Sequence, residues 1–126
     1  MKPRKIHLHK NTQILDIEFH DVTGHLSAEF LRVHSPSAEV KGHQGVGGEL
    51  PFGKKNIRIN AIEAAGNYAL KIYFDDGHDS GLYTWAYLHE LTIQSVSKWQ
   101  DYLDRLHKEQ KSRDPEVSVI RFQIPT

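Results

Sequence analysis

The residues best suited to chemistry lie in one short stretch, Phe74–Leu91, which reads FDDGHDSGLYTWAYLHEL. It holds two histidines and three aspartates, and both residue types serve as metal ligands and as acid–base catalysts. His78 could therefore be a metal ligand, a catalyst, a contact for a partner or a scaffold residue. The calcium-loop pattern read from Asp75 fails, because Ser80 takes the glycine place and Ala86 the place of the bidentate glutamate. The aspartates are instead expected to form turns by bonding to nearby backbone.

Two further motifs come close to a ligand site without completing it. Gly48–Lys55 is one residue short of a phosphate-binding loop, because Lys55 stands where a serine or threonine must hold magnesium. A glycine-rich irregular loop is the favoured interpretation. His7 and His9 share one face of an extended segment, a spacing that suits a metal, but no third ligand is identifiable nearby. Solvated histidines on a sheet edge are expected there.

Oxygenase and nucleophilic chemistry are poorly supported. The His-x-acid spacing of an iron(II) oxygenase occurs only at His107-Lys108-Glu109, on a predicted helix, where residues i and i+2 do not face each other. Ser35, Ser37 and Ser80 lie close to histidines in sequence, but none has the glycine-flanked context of a catalytic serine. No enzymatic constellation is visible.

Composition narrows the class of protein. The 126 residues predict a single domain spanning 1–126, and 16 basic residues balance 16 acidic ones. This balance argues against nucleic acid or an anionic membrane surface as the partner. The absence of cysteine excludes disulfides, thiol catalysis and cysteine-held metals, and no segment is apolar for long enough to span a bilayer. A cytoplasmic location is expected.

The order of predicted elements places these residues on an α+β fold. Alternating apolar residues predict a strand over Gln13–Phe19, a turn, and a second strand over His25–Val33. Lys41–Asn56 carries five of the nine glycines and is expected to be an irregular loop. A second hairpin is predicted over Ile57–Phe74, turning at Gly66-Asn67.

Two helices are expected after the hairpins. Thr84 is suited to cap a short helix that begins at Trp85. A longer helix is predicted with Ser97 and Gln100 as its capping box and Asp114-Pro115 as its stop, burying Val96, Trp99, Leu103 and Leu106. Residues 116–124 fit either a last strand or an ordered tail. The predicted architecture is an antiparallel sheet of hairpins with one short and one long helix packed on it.

Two segments resemble the signatures of a known domain. Leu31–Val40 (LRVHSPSAEV), followed by Gly42-His43, is similar to the first signature of the gamma-butyrobetaine hydroxylase-like N-terminal domain. Asp76–Gly81 (DGHDSG), followed by Tyr83, Trp85 and Leu88, is similar to the second. The likeness covers roughly residues 14–91 and is strongest to the small stand-alone bacterial members of the family.

The resemblance implies that His78 stands at the position of a zinc ligand in other members of the family. In the large hydroxylases this domain holds a structural zinc with three cysteines and one histidine. Those places fall here on Ser35, Ser37, Val40 and His78, so only the histidine is kept. Hydroxyls and an aliphatic group are poor substitutes for thiolates, which implies that a zinc site of that composition is lost. His78 is then expected to hydrogen-bond a serine hydroxyl or a backbone carbonyl of residues 35–37, above a core containing Tyr83, Trp85 and Leu88.

Three functions remain open. The favoured hypothesis is a non-catalytic accessory domain, without a cofactor, that binds an unknown protein partner. Its predicted contacts are Arg32, His34, Ser35, Glu39, His43, His78 and Asp79. The alternative is a protein that binds iron or zinc through His34, His43 and His78, with Asp79 as a further candidate. Because related domains occur fused to iron–sulfur scaffold ATPases of the Mrp type, the resemblance also suggests a link to iron–sulfur protein maturation. A small-molecule enzyme ranks last.

Overall fold

The computed structural model describes residues 1–37, 40, 42–43 and 46–115. Eight strands and three helices have bounds within that part of the chain. The strands are β1 Lys5–His9, β2 Ile14–Glu18, β3 Thr23–Ser27, β4 Gly42–His43, β5 Val46–Gly47, β6 Ile59–Ala65, β7 Ala69–Phe74 and β8 Leu82–Thr84. The helices are α1 Ala28–Val33, α2 Trp85–Ile93 and α3 Ser95–Lys108.

The first sheet is an antiparallel meander in the order β1-β2-β3. The predicted hairpin of β2 and β3 is confirmed, and Leu15, Ile17 and Phe19 are buried as their alternation indicates. The predicted strand over His25–Val33 is wrong beyond Ser27. The Ser27 hydroxyl accepts a hydrogen bond from the Phe30 N–H at 3.0 Å and starts α1, because a short apolar run fits a buried helix as well as a strand.

The second sheet has the order β6-β7-β8 and contains the other predicted hairpin. Gly66 turns this hairpin with a φ of 57°, a left-handed conformation that favours glycine. Leu70, Ile72 and Phe74 are buried on β7, whereas Tyr68, which precedes the strand, is 57% exposed. The short ladder of β4 and β5 lies within the predicted glycine loop.

The helices follow the prediction at α2 and depart from it at α3. The Thr84 hydroxyl caps α2 by accepting the Tyr87 N–H, as predicted. The predicted capping box of α3 is wrong, because the helix begins at Ser95 and Ser97 donates its hydroxyl to the Gln94 carbonyl from within the helix. The helix also ends at Lys108, before the predicted stop.

The buried face of α3 is centred on its second half. Tyr102 and Leu106 are buried with Val33 of α1, and Trp99 and Leu103 pack partly buried against them. Val96 is 84% exposed, so its predicted place on the buried face is wrong.

The α+β prediction is confirmed. The described residues form two three-stranded sheets, the two-stranded sheet of β4 and β5, and three helices, where one sheet and two helices were expected. The main core combines side chains from the two three-stranded sheets with others from α1 and α2. No described helix has the length and apolarity needed to cross a bilayer. The predicted strand or tail over 116–124 falls outside the described residues.

Candidate functional site

The two segments that carry the signatures meet at His78. Its Nε2 atom lies 2.7 Å from the Ser35 hydroxyl oxygen and 3.4 Å from that of Ser37. All three residues are buried, and Ser35 has no exposed surface. The predicted hydrogen bond between His78 and a serine hydroxyl is therefore confirmed.

A tight turn after β7 holds His78 in this position. Gly77 adopts a φ of 85°, and its N–H donates to the Phe74 carbonyl at 3.1 Å. The Phe74 N–H in turn donates to the His78 carbonyl at 3.1 Å. The Asp76 carboxylate accepts the His78 N–H at 3.1 Å, which is the turn chemistry predicted for these aspartates.

Gly81 allows the chain to pass directly against the serine turn. A Cβ atom at this position would lie 2.5 Å from the Ser35 hydroxyl oxygen, 2.9 Å from Pro36 Cδ and 3.1 Å from the Ser37 nitrogen. Two of these neighbours belong to constrained parts of the turn and cannot move aside easily. The absence of a side chain at Gly81 is thus what lets the two signature segments touch.

Two tyrosines join α1 to the elements beneath His78. The Tyr83 hydroxyl donates to the Leu31 carbonyl, and the Tyr87 hydroxyl donates to the His34 carbonyl at 2.6 Å. Burial raises the pKa of both phenols, that of Tyr87 to about 12, so both act as neutral donors. Tyr83, Trp85 and Leu88 are buried in the main core, as predicted.

A charged layer adjoins the buried histidine. Asp76 Oδ2 accepts hydrogen bonds from Arg32 Nε at 2.9 Å and from Lys54 Nζ at 2.7 Å. Burial alone would raise the pKa of the Asp76 carboxyl, but the Lys54 and His78 hydrogen bonds and the Arg32 charge outweigh it and lower the pKa to about 2. The sequence gives no short-range signal for the part played by Lys54, which comes from a loop 22 residues away from Asp76.

We expect Asp76 to make the stability of the protein pH-dependent. Its pKa is lower in the folded protein than the ordinary 3.8, so its contribution to stability is complete above about pH 5 and is lost as the pH falls towards 2. Partial exposure limits this contribution to about 1–2 kcal/mol. Urea unfolding should show that the free energy of unfolding falls more between pH 5 and pH 3 in the wild type than in Asp76→Asn. Equal losses would contradict the assignment.

The other predicted site residues are only partly brought together. His34 is half-buried, with Nδ1 2.8 Å from the Phe30 carbonyl oxygen, and burial lowers its pKa. Asp79 is exposed. Glu39 and the side chain of His43 lie outside the described part of the chain. In that part, no group of three histidine or acidic side chains is arranged to hold a metal ion, and the hypothesis of a site built from His34, His43 and His78 stays a prediction.

The Ser35–His78 pair has the composition of a nucleophile and its base, but its surroundings are those of a structural contact. The Ser35 hydroxyl has no exposed surface and the Gly81 backbone lies against it. In this conformation the hydroxyl cannot reach a substrate. Two of the surface hollows share residues 40, 50 and 51 in their lining, and each has a volume of about 230 Å³. Arg32 and Lys54 line one, and His34 and Tyr102 line the other.

Comparison with known proteins agrees with the signature resemblance. The profile described as "Gamma-butyrobetaine hydroxylase-like, N-terminal" matches residues 6–89, two thirds of the chain and both signature segments. The chain belongs to this family. None of the curated proteins matches it significantly.

Solved structures of similar proteins share the fold of this family member. Two NMR solution structures are 49% and 41% identical to it, with TM-scores of 0.79 and 0.72. The matches cover 98% of this chain in both cases, and 98% and 93% of those chains. A crystal structure from Acidithiobacillus ferrooxidans ATCC 23270, of a protein of unknown function in the DUF971 family, is 28% identical with a TM-score of 0.61. That match covers 72% of this chain and 92% of the other.

Proposed function

We propose that this protein is a non-catalytic accessory domain of the cytoplasm that binds a protein partner. Its binding surface would be formed by residues 32–37 and the turn 75–81, together with Glu39 and His43. The observation that carries the proposal is the hydrogen bond of His78 Nε2 to Ser35 at 2.7 Å, in a contact with almost no exposed surface. A catalytic imidazole must reach its substrate, whereas this one joins two segments of the scaffold.

The joined segments form a preorganised surface. Arg32 and Asp76 link them on the outside of the same contact, at 2.9 Å. The two hollows beside them offer charged groups next to an apolar wall that includes Leu50 and Pro51. Rigid segments bind with a smaller loss of conformational entropy, which favours recognition over chemistry. The balance of 16 basic and 16 acidic residues supports a protein partner rather than nucleic acid.

The predicted contact residues have different parts in this proposal. Ser35 and His78 are buried, so they would shape the surface without touching the partner. Asp79 is exposed, and Arg32 and His34 are partly exposed, so these three would contact it directly.

The zinc that the family resemblance implies does not fit the residues at the corresponding places. Ser35 and Ser37 offer hydroxyls, Val40 offers no donor, and one imidazole alone does not make a structural zinc site. We therefore propose that hydrogen bonds take the structural role here. Metal analysis of untagged protein tests this view, and a stoichiometric iron or zinc lost in His78→Ala would favour the metal-binding alternative.

Affinity capture from the native cell tests the binding proposal. The wild type is expected to retain a stoichiometric protein partner, and Asp79→Arg should reduce its recovery by about tenfold, as expected for an opposed charge at an interface. The matched control is Glu63→Arg, which makes the same reversal of charge at an exposed position on β6, away from the turn. Equal recovery with both variants, or no stoichiometric partner for the wild type, would contradict the proposal.

A further inference from the structure

A hollow of about 340 Å³ is lined by residues of β2, β3, α1 and α3. We call it the Val96 groove. Its apolar lining consists of Ile14, Leu26, Phe30, Val96 and Trp99, and no lysine, arginine, aspartate or glutamate is among the described residues that line it. Leu26 and Phe30 are buried, whereas Val96 is 84% exposed. The groove is therefore suited to an apolar segment without charge.

The described part of the chain ends beside this groove. The guanidinium carbon of Arg113 lies 5.1 Å from the centroid of the Trp99 ring. The same group donates to both carboxylate oxygens of Glu29, at 2.9 Å and 2.7 Å, a paired arrangement that fixes its position. The Lys55 N–H donates to the Arg113 carbonyl at 3.0 Å and holds the backbone as well. Because Pro115 follows directly, the next residues start close to the Trp99 side of the groove.

The residues that follow Pro115 are rich in large apolar side chains. Their sequence is EVSVIRFQIPT, in which Glu116 and Arg121 carry the charged side chains. The large apolar residues are Val117, Val119, Ile120, Phe122 and Ile124. Transfer of such side chains out of water is favourable, and so is covering the apolar lining of the groove. The segment and the groove are therefore complementary in chemistry.

The length of the segment and its attachment point allow this contact. Residues 116–124 can span up to about 30 Å, and they follow an arginine that already touches one wall of the groove. A short tether also gives the segment an effective concentration in the millimolar range. A modest affinity is then sufficient for occupancy, and a separate molecule would have to compete with the segment.

We propose that the Val96 groove is the docking site for residues 117–124 of the same chain, whose apolar side chains cover Val96 and Trp99. The inference goes beyond the proposed function, because the groove lies outside the surface formed by residues 32–37 and 75–81. Loss of the partner proposal would leave it unchanged, and the tests below need no partner.

Limited digestion of the full chain with trypsin tests the docking. The rate of cleavage after Arg121 reports how often the segment leaves the groove. Val96→Gln places an amide among the apolar side chains and should raise this rate about tenfold, the order expected for one lost valine contact. Ile93→Gln makes a similar change at a residue that is 57% exposed and does not line the groove, so it should change the rate less than about twofold. Cleavage after Lys71, on the central strand β7, reports global unfolding and should stay slow in both variants.

Nuclear Overhauser contacts in the methyl-labelled full chain identify what occupies the groove, even if a variant unfolds. The Val96 methyl groups should show contacts with side chains of residues 117–124. These contacts should be absent between labelled and unlabelled molecules in a mixed sample, because the segment belongs to the same molecule. Contacts found only between molecules would assign the groove to a second copy and overturn the inference. It would also be overturned by the absence of contacts from residues 117–124 to Val96, or by equal cleavage rates after Arg121 in Val96→Gln and Ile93→Gln.

Discussion

Replacement of Trp85 by alanine is expected to lower the free energy of unfolding by about 3–5 kcal/mol, the range for deleting a buried aromatic side chain. Trp85 is 7% exposed in the main core. Its indole N–H also donates to the Asn67 carbonyl at 2.7 Å and so ties the start of α2 to the turn between β6 and β7. Urea unfolding followed by far-ultraviolet circular dichroism measures the loss.

Two variants sharpen this prediction. Trp85→Phe keeps most of the apolar volume but leaves the Asn67 carbonyl without its donor, so its loss should be about 1–3 kcal/mol. Tyr68→Ala removes an aromatic ring that is 57% exposed and should cost less than about 1 kcal/mol. A loss of stability for Trp85→Ala no larger than that for Tyr68→Ala would show that Trp85 does not belong to the core.

Replacement of His78 by alanine has the second largest expected effect, a loss of about 2–4 kcal/mol. The variant removes a buried side chain and deprives the Ser35 hydroxyl of its partner at 2.7 Å. The same unfolding experiment measures the effect. His20→Ala, in which the removed side chain is 68% exposed, is the matched control and should stay within about 0.5 kcal/mol of the wild type. A similar, small effect of both variants would contradict a structural role for His78.

Much of the fold could be predicted from the sequence, because both hairpins carry local signals. Leu15 and Ile17 alternate on β2, and Gly66 marks a turn that requires a positive φ. Helix α1 was missed because its six residues, AEFLRV, are too few to show a helical period. The apolar spacing in α3 predicts which side of the helix faces the core, but not how far along the helix the core extends. Val96 lies near the start of the helix, where it is 84% exposed.

The site could be predicted only in part. The contact of His78 with Ser35 depended on family resemblance, since 43 residues separate them and no local rule pairs them. The resemblance could not show that Ser35 is sealed from solvent or that Gly81 leaves no space beside it. The pairing of Lys54 with Asp76 was missed for the same reason, because it joins a glycine-rich loop to a turn and depends on tertiary packing alone.

The central claim is that a hydrogen bond between His78 and Ser35 holds the two signature segments together. A double-mutant cycle measures it directly, from the unfolding free energies of the wild type, Ser35→Ala, His78→Ala and the double variant, each determined with and without a metal chelator. The structure predicts a coupling energy of about 1–2 kcal/mol that the chelator does not change. Additive losses, or a coupling that the chelator abolishes, would contradict it.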